Sequence, residues 1–305
     1  MTAETAVAAH RADAETYVGE RSAPGPSVLL VVHGTRREAG ARVAETLRCA
    51  LTRRTGRAVH LAHADVRAPD VAGALARLPG PVTLVPAFLA SGYHVRTDIP
   101  AQIERAGRTD VHVTPPLGPA PALLPALVDR LAESGARTFG YGDALVLAGA
   151  GSSDPGARAE VEGMAGRLGR LLSCPVSVGW AATSAPSVAD TVARLRAEGA
   201  RHIAVATWLL APGLFADRLH TAGADTVAAP LAAHPAVVAL LAERATDGPP
   251  ASGSAPAPKR GAVPAPVSAA AVSPAPVREP ASVPVPAPMP MPMPTAVGER
   301  RTARA

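Results

Sequence analysis

The sequence predicts two tandem α/β domains with parallel sheets, related by duplication, followed by a disordered Pro/Ala-rich tail. Three observations predict this. Short, continuously apolar runs alternate with stretches of helical spacing, the pattern of parallel strands covered on both faces. The second set of runs repeats the first in the same order. From about Thr246 onward the composition turns abruptly to Pro, Ala, Ser and Val.

Taken in order, residues 1–26 hold Glu4, Asp13, Glu15 and Glu20 and no apolar core run. They are expected to form a flexible leader rather than a secretory signal. The first domain is expected over 27–138, with strands at 27–32, 58–64, 81–88 and 110–114. After the first strand, residues 42–53 place Val43, Leu47 and Leu51 on one side of a helix. The second domain is expected over 139–246, with strands at 144–148, 176–180, 202–208 and 226–228. The tail, 247–305, carries Pro at every second position over 284–294. Proline has no N–H to donate, so neither a helix nor a regular ladder can form there. Met289, Met291 and Met293 alternate within that run, and a soft-metal role for them is set aside in favour of low complexity.

The repeat is visible residue by residue. Val28-Leu-Leu-Val-Val-His-Gly-Thr matches Leu145-Val-Leu-Ala-Gly-Ala-Gly-Ser. Phe88-Leu-Ala-Ser-Gly-Tyr-His-Val matches Leu209-Leu-Ala-Pro-Gly-Leu-Phe-Ala, and Pro116-Leu-Gly-Pro matches Pro230-Leu-Ala-Ala. The second half thus keeps the glycines Gly151 and Gly213 but has Ala150 and Phe215 where the first has His33 and His94.

Composition narrows the function classes. Hydrophobic residues reach 48% while aromatics are 3%, so the cores must be built from Ala, Val and Leu. A length of 305 residues fits about two domains at roughly 150 residues each. The formal charge of +5 favours an anionic partner but lacks the clustered basic stripe of a nucleic-acid binder. Cys49 and Cys174 stand far apart, excluding a disulfide framework or thiolate cluster. No apolar run approaches the ~18 residues needed to span a bilayer. A cytoplasmic protein with no membrane or nucleic-acid partner is expected.

In parallel α/β folds ligands bind beyond the carboxyl ends of the strands. His33 ends the first strand, Asp65 follows the second, and His94 follows the third. Two imidazoles and a carboxylate at one cleft would make a first-row divalent metal site with room for an exchangeable ligand. For either histidine alone, the competing reading is a hydrogen-bonded loop residue. His63, two residues before Asp65, is expected to share its face and to be an auxiliary metal contact at most. His60, His112, His202, His220 and His234 read as structural or surface residues.

Val31-Val-His-Gly-Thr-Arg and Leu84-Val-Pro-Ala-Phe-Leu-Ala-Ser-Gly-Tyr-His-Val-Arg-Thr-Asp-Ile-Pro resemble the sirohydrochlorin chelatases, the class II chelatases of sirohaem and early cobalt-corrin synthesis. The resemblance continues, more faintly, to about Arg244. It implies insertion of a divalent metal, Fe²⁺ favoured and Co²⁺ possible, into a tetrapyrrole bearing multiple carboxylates. It implies that His33 and His94 bind or deliver the metal. The third ligand of the family is generally a Glu at the end of strand two, where this sequence offers the shorter Asp65. Arg36, Arg37 and Arg96, beside the histidines, are candidate carboxylate anchors, since a guanidinium pairs with a carboxylate through two bonds. Gly34 and Gly92 would let the backbone approach a flat ligand. No cofactor is expected beyond the substrate metal, and a monomer would suffice. The rival class is a non-catalytic metal or tetrapyrrole carrier. A hydrolase would require a Gly-x-Ser-x-Gly elbow, which the sequence lacks.

Overall fold

The computed structural model describes residues 25–182 and 184–247. The expected leader up to residue 24 lies outside them, as do residues 248–305 of the expected tail with Met289, Met291 and Met293. Each apolar run becomes one parallel strand. In the first half β1 (Ser27–Val32) lies between β2 (Val59–His63) and β3 (Val82–Pro86), with β4 (Val111–Val113) outside β3. In the second half β5 (Asp143–Gly149) lies between β6 (Val176–Trp180) and β7 (His202–Trp208), with β8 (Thr226–Val227) outside β7. The two sheets share one order, and the register matches too: Ser27 pairs with Val82 in one, Ala144 with Ile203 in the other.

Parallel neighbours cannot be joined by a tight turn, so helices make the crossovers. These are α1 (Glu38–Thr55), α2 (Val71–Leu75), α3 (Ile99–Arg105) and α4 (Leu124–Glu133) in the first half. In the second they are α5 (Pro155–Leu172), α6 (Val188–Ala197), α7 (Leu214–Leu219) and α8 (Pro235–Thr246). Helix α1 runs four residues earlier than its apolar spacing predicted. It stops at Gly56, whose left-handed backbone (φ 65°) turns its N–H back to the Thr52 carbonyl. Its Leu47 and Leu51 are fully buried.

Strand alternation divides β1 between two cores. Val28, Leu30 and Val32 join a large cluster shared with the second half, including Leu47, Leu127, Leu147, Trp180, Trp208 and Leu240. Leu29 and Val31 face the other way, against Leu75, Leu84 and Ile99. In the second half Val146 and Ala148 face a matching outer core with Val188, Val205 and Leu219. Each fully buried Leu contributes about 1.5–3 kcal/mol relative to exposure. The shared cluster therefore binds the halves more strongly than their surface contacts can.

The order β2-β1-β3-β4 places a topological switch point between β1 and β3, where crossovers leave in opposite directions. His33 follows β1 and His94 follows β3. Among the described residues no helix is long and apolar enough to cross a membrane.

Candidate active site

The loop after β1 is shaped by a glycine. Gly34 has φ +97°, and a Cβ there would lie 2.0 Å from the Asp65 carbonyl oxygen. The Asp65 N–H in turn donates to the His33 carbonyl at 2.9 Å. The loops after β1 and β2 are thus held edge to edge, with His33 at their margin. The closeness that Gly34 permits is to Asp65, not to a ligand. Gly92 likewise faces protein: its missing Cβ would sit 3.4 Å from Ser152 Oγ of the second half.

His94 opens a π-helical turn, His94–Asp98, that runs into α3. The Ile99 N–H closes on the His94 carbonyl. The next residue, Pro100, has no N–H to offer the Arg96 carbonyl, so an ordinary helical turn would lack that bond here. Such widened turns concentrate at functional sites.

The structure brings the two histidines together. Their ring centroids are 4.6 Å apart with the planes at 82°. Phe88 packs beside both, at 6.5 Å from His33 and 5.9 Å from His94. Each ring uses Nδ1 internally: His33 Nδ1 lies 3.1 Å from the Gly34 carbonyl oxygen, and His94 Nδ1 lies 2.9 Å from Asp98 Oδ2. A carbonyl or carboxylate oxygen can only accept, so Nδ1 carries the proton in both rings. The Nε2 lone pairs are left available, and neither Nε2 has a hydrogen-bond partner among the described residues.

His33 keeps solvent access on one side, yet the protein around it lowers its pKa chiefly through desolvation. The Gly34 carbonyl works in the opposite direction, and the nearby His94 adds to the lowering. The charges of Asp65 and Asp98 partly compensate. A neutral His33 near pH 7 is the form that can ligate a cation or accept a proton.

Asp65 is exposed beside His33, with Oδ1 accepting from the Val66 N–H at 2.7 Å. Among the described residues no group of three or more His, Cys, Asp or Glu side chains is arranged to hold a metal ion. The structure therefore assembles the imidazole pair, not a three-ligand set with Asp65. His63 closes β2, and its surroundings differ from those of Asp65, which is exposed. The His63 ring is buried in the first half, 6% exposed, and its Nδ1 has no partner.

The three arginines separate. Arg36 is exposed and has no ion-pair partner among the described residues. Arg37 reaches Asp217 of the second half at 3.2 Å. Arg96 lies 3.5 Å from both Asp154 and Glu160 at the start of α5, and its Nε donates to the Ser91 carbonyl. Arg37 and Arg96 thus already have protein carboxylates as partners.

Sequence reasoning missed Asp98, the partner of His94. The spacing of four residues within His94-Val-Arg-Thr-Asp98, in a segment leading into a helix, was the available signal. It also missed Asp154, Glu160 and Asp217, which only the docking of the halves brings near.

The CbiX family model matches residues 27–134 and again 144–248. The chain belongs to the CbiX family. Each half matches the model separately, so the internal repeat is a repeat of the CbiX unit. No curated protein matches the sequence. Among solved structures, this CbiX-family chain is similar to the sirohydrochlorin chelatase SirB from Bacillus subtilis subspecies spizizenii in complex with cobalt. Identity there is 18%, with 73% of this chain and 95% of that chain covered at a TM-score of 0.60. SirB from Bacillus subtilis with Fe³⁺ gives 19% identity over 73% and 95% of the two chains, TM-score 0.62. CbiX, the terminal enzyme for biosynthesis of siroheme in denitrifying bacteria, gives 23% over 72% and 97%, TM-score 0.55. At these identities the likeness is one of fold.

Proposed function

We propose that this protein is a sirohydrochlorin chelatase that inserts a divalent metal, Fe²⁺ in preference to Co²⁺, into a tetrapyrrole of the sirohaem or cobalamin routes. The observation that carries the reading is the His33–His94 pair, 4.6 Å apart, with both Nδ1 atoms engaged and both Nε2 lone pairs free. Two neutral nitrogen donors without a closing set of protein ligands hold a first-row cation loosely enough to pass it on. Insertion exchanges the cation for two pyrrole protons. An imidazole that has released its metal is a base of suitable strength to accept one of them.

The surroundings suit a flat macrocycle with an acidic rim. Val66, Tyr93, Leu214 and Phe215 are exposed apolar side chains just beyond strand ends. Arg36, exposed and without an ion-pair partner among the described residues, is the natural anchor for a substrate carboxylate. Arg37 and Arg96 already face carboxylates of the second half and would bind substrate only by leaving them. Asp65 tunes His33 through its charge.

The test is direct. Purified protein mixed with sirohydrochlorin and Fe²⁺ or Co²⁺ should accelerate the absorption change of insertion over the protein-free rate. His33→Ala with His94→Ala should return that rate to background with an unchanged far-UV circular dichroism spectrum. Insertion no faster than without protein would give the carrier reading the advantage.

A further inference from the structure

We propose that Asp98 is a positioning residue for His94, and that Gln102 locks Asp98 so that the His94 ring is aimed from the interior of the first half. The inference deepens the metal-delivery reading and rests on it. A continuous relay carries it. His94 Nδ1 donates to Asp98 Oδ2 at 2.9 Å, and Gln102 Nε2 donates to Asp98 Oδ1 at 3.0 Å. Gln102 is itself anchored on both sides: its Oε1 accepts from the Val71 N–H at 2.8 Å, and its Nε2 also donates to the Ala64 carbonyl at 3.2 Å. Gln102 is 5% exposed, so it cannot swing away without leaving buried polar groups unpaired. The first turn of α2, the end of β2 and α3 thereby converge on one imidazole.

Two consequences follow from elementary chemistry. A carboxylate on Nδ1 selects the Nδ1–H tautomer, which places the lone pair on Nε2, and it makes that nitrogen a better donor. It also fixes the rotation of the ring. His33 has only its neighbour's neutral carbonyl on Nδ1 and remains at an exposed margin. The pair is therefore unequal, with His94 the firm donor and His33 the yielding one.

The second half supports the assignment. Under the offset that carries His94 onto Phe215, Asp98 falls on Leu219 and Gln102 on Gly223. The relay is absent there as a unit, together with the imidazole it would aim. Had Asp98 and Gln102 served only the packing of the α/β unit, the copy would have kept a use for them.

The experiment uses the full-length protein. The His94 tautomer is read from imidazole ¹⁵N shifts, and Co²⁺ affinity from its visible absorption without tetrapyrrole, in wild type, Asp98→Asn, Asp98→Ala and His94→Ala. The wild type should show His94 as Nδ1–H. Asp98→Ala should move the ring toward the Nε2–H form and weaken Co²⁺ binding by about 10- to 100-fold. Asp98→Asn has one acceptor oxygen for the two donors His94 and Gln102, so it should hold the tautomer less firmly than wild type and fall between wild type and Asp98→Ala in affinity. Unchanged tautomer and affinity in Asp98→Ala would overturn the inference. A resident Nε2–H form in the wild type would overturn it even if Asp98→Ala does not fold. Failure of the metal-delivery reading looks different: His94→Ala would then bind Co²⁺ as well as wild type, leaving Asp98 with no ligand to position.

Discussion

Arg37 and Asp217 meet at 3.2 Å between the halves, and their counterparts meet the same way with the charges exchanged. Asp154 stands at the position of Arg37, Arg96 at the position of Asp217, and these two lie 3.5 Å apart. Both members from the first half are arginines and both from the second are aspartates. A half that faced a copy of itself would bring like charges together twice. Each half complements the other and not itself.

The energetic share of these pairs differs with their exposure. Arg37 and Asp217 are 63% and 56% exposed, so solvent screens them and their coupling should be no more than about 0.5 kcal/mol. Arg96 meets Asp154 and Glu160, whose side chains are 29% and 20% exposed, and Glu160 also accepts from the Ser91 N–H. Coupling there should reach about 1 kcal/mol. Double-mutant cycles by urea denaturation, with Arg37→Gln and Asp217→Asn against Arg96→Gln and Glu160→Gln, measure both. Equal couplings would contradict the burial argument.

Gly34→Ala should lower stability by more than the roughly 1–3 kcal/mol of a strained backbone conformation alone. Its φ of +97° disfavours any side chain, and the added methyl would meet the Asp65 carbonyl at 2.0 Å. Relief requires the loops after β1 and β2 to part, which displaces His33. Thermal melting and Co²⁺ affinity should fall together, whereas Gly80→Ala, with φ +64° and open space around it, should leave Co²⁺ affinity unchanged.

His63→Leu should flatten the acid side of the stability profile. Burial holds the His63 pKa below its usual value of 6.5, with Arg67 adding to the effect and the Pro69 carbonyl opposing it. The unfolded chain takes up a proton near pH 6.5 while the folded ring resists. The stability from a neutral His63 is therefore full above pH 6.5 and is lost as pH falls through that value toward the lower folded pKa. Melting temperatures from pH 7.5 to 5 should decline less steeply in the variant. His33 and His60 are shifted in the same direction and will leave a residual slope.

Trp208→Phe tests a bond between the halves. The Trp208 Nε1–H donates to the Leu89 carbonyl at 3.1 Å, on the loop leading to His94. Loss of the hydrogen bond should cost about 0.5–1.5 kcal/mol, and the cavity left by the smaller ring in the shared core should add to it. Chemical denaturation should show a lower midpoint without a change in slope.

Much of the fold was legible in the order of residues. Strand runs fell within a few residues of their observed bounds, because parallel strands buried on both faces must be apolar throughout. The duplication was legible because motif order survives drift. His33 and His94 could be put forward as candidates because ligands gather beyond strand ends and the flanking motifs resemble a known family, and the structure places their rings 4.6 Å apart. Asp98 was missed, since a four-residue spacing has no meaning until the segment is known to be helical. The roles expected for Gly92, Arg37 and Arg96 changed because their neighbours come from the other half.

By itself, then, the sequence determined the architecture and its repeat, which follow from local periodicity and motif order, and it offered two imidazoles beyond strand ends as candidates. Only the tertiary structure decided which nitrogens are free, which arginine stays unpaired and which carboxylate aims His94. Those depend on contacts between residues far apart in the chain, formed when a shared apolar core closes the two halves on each other.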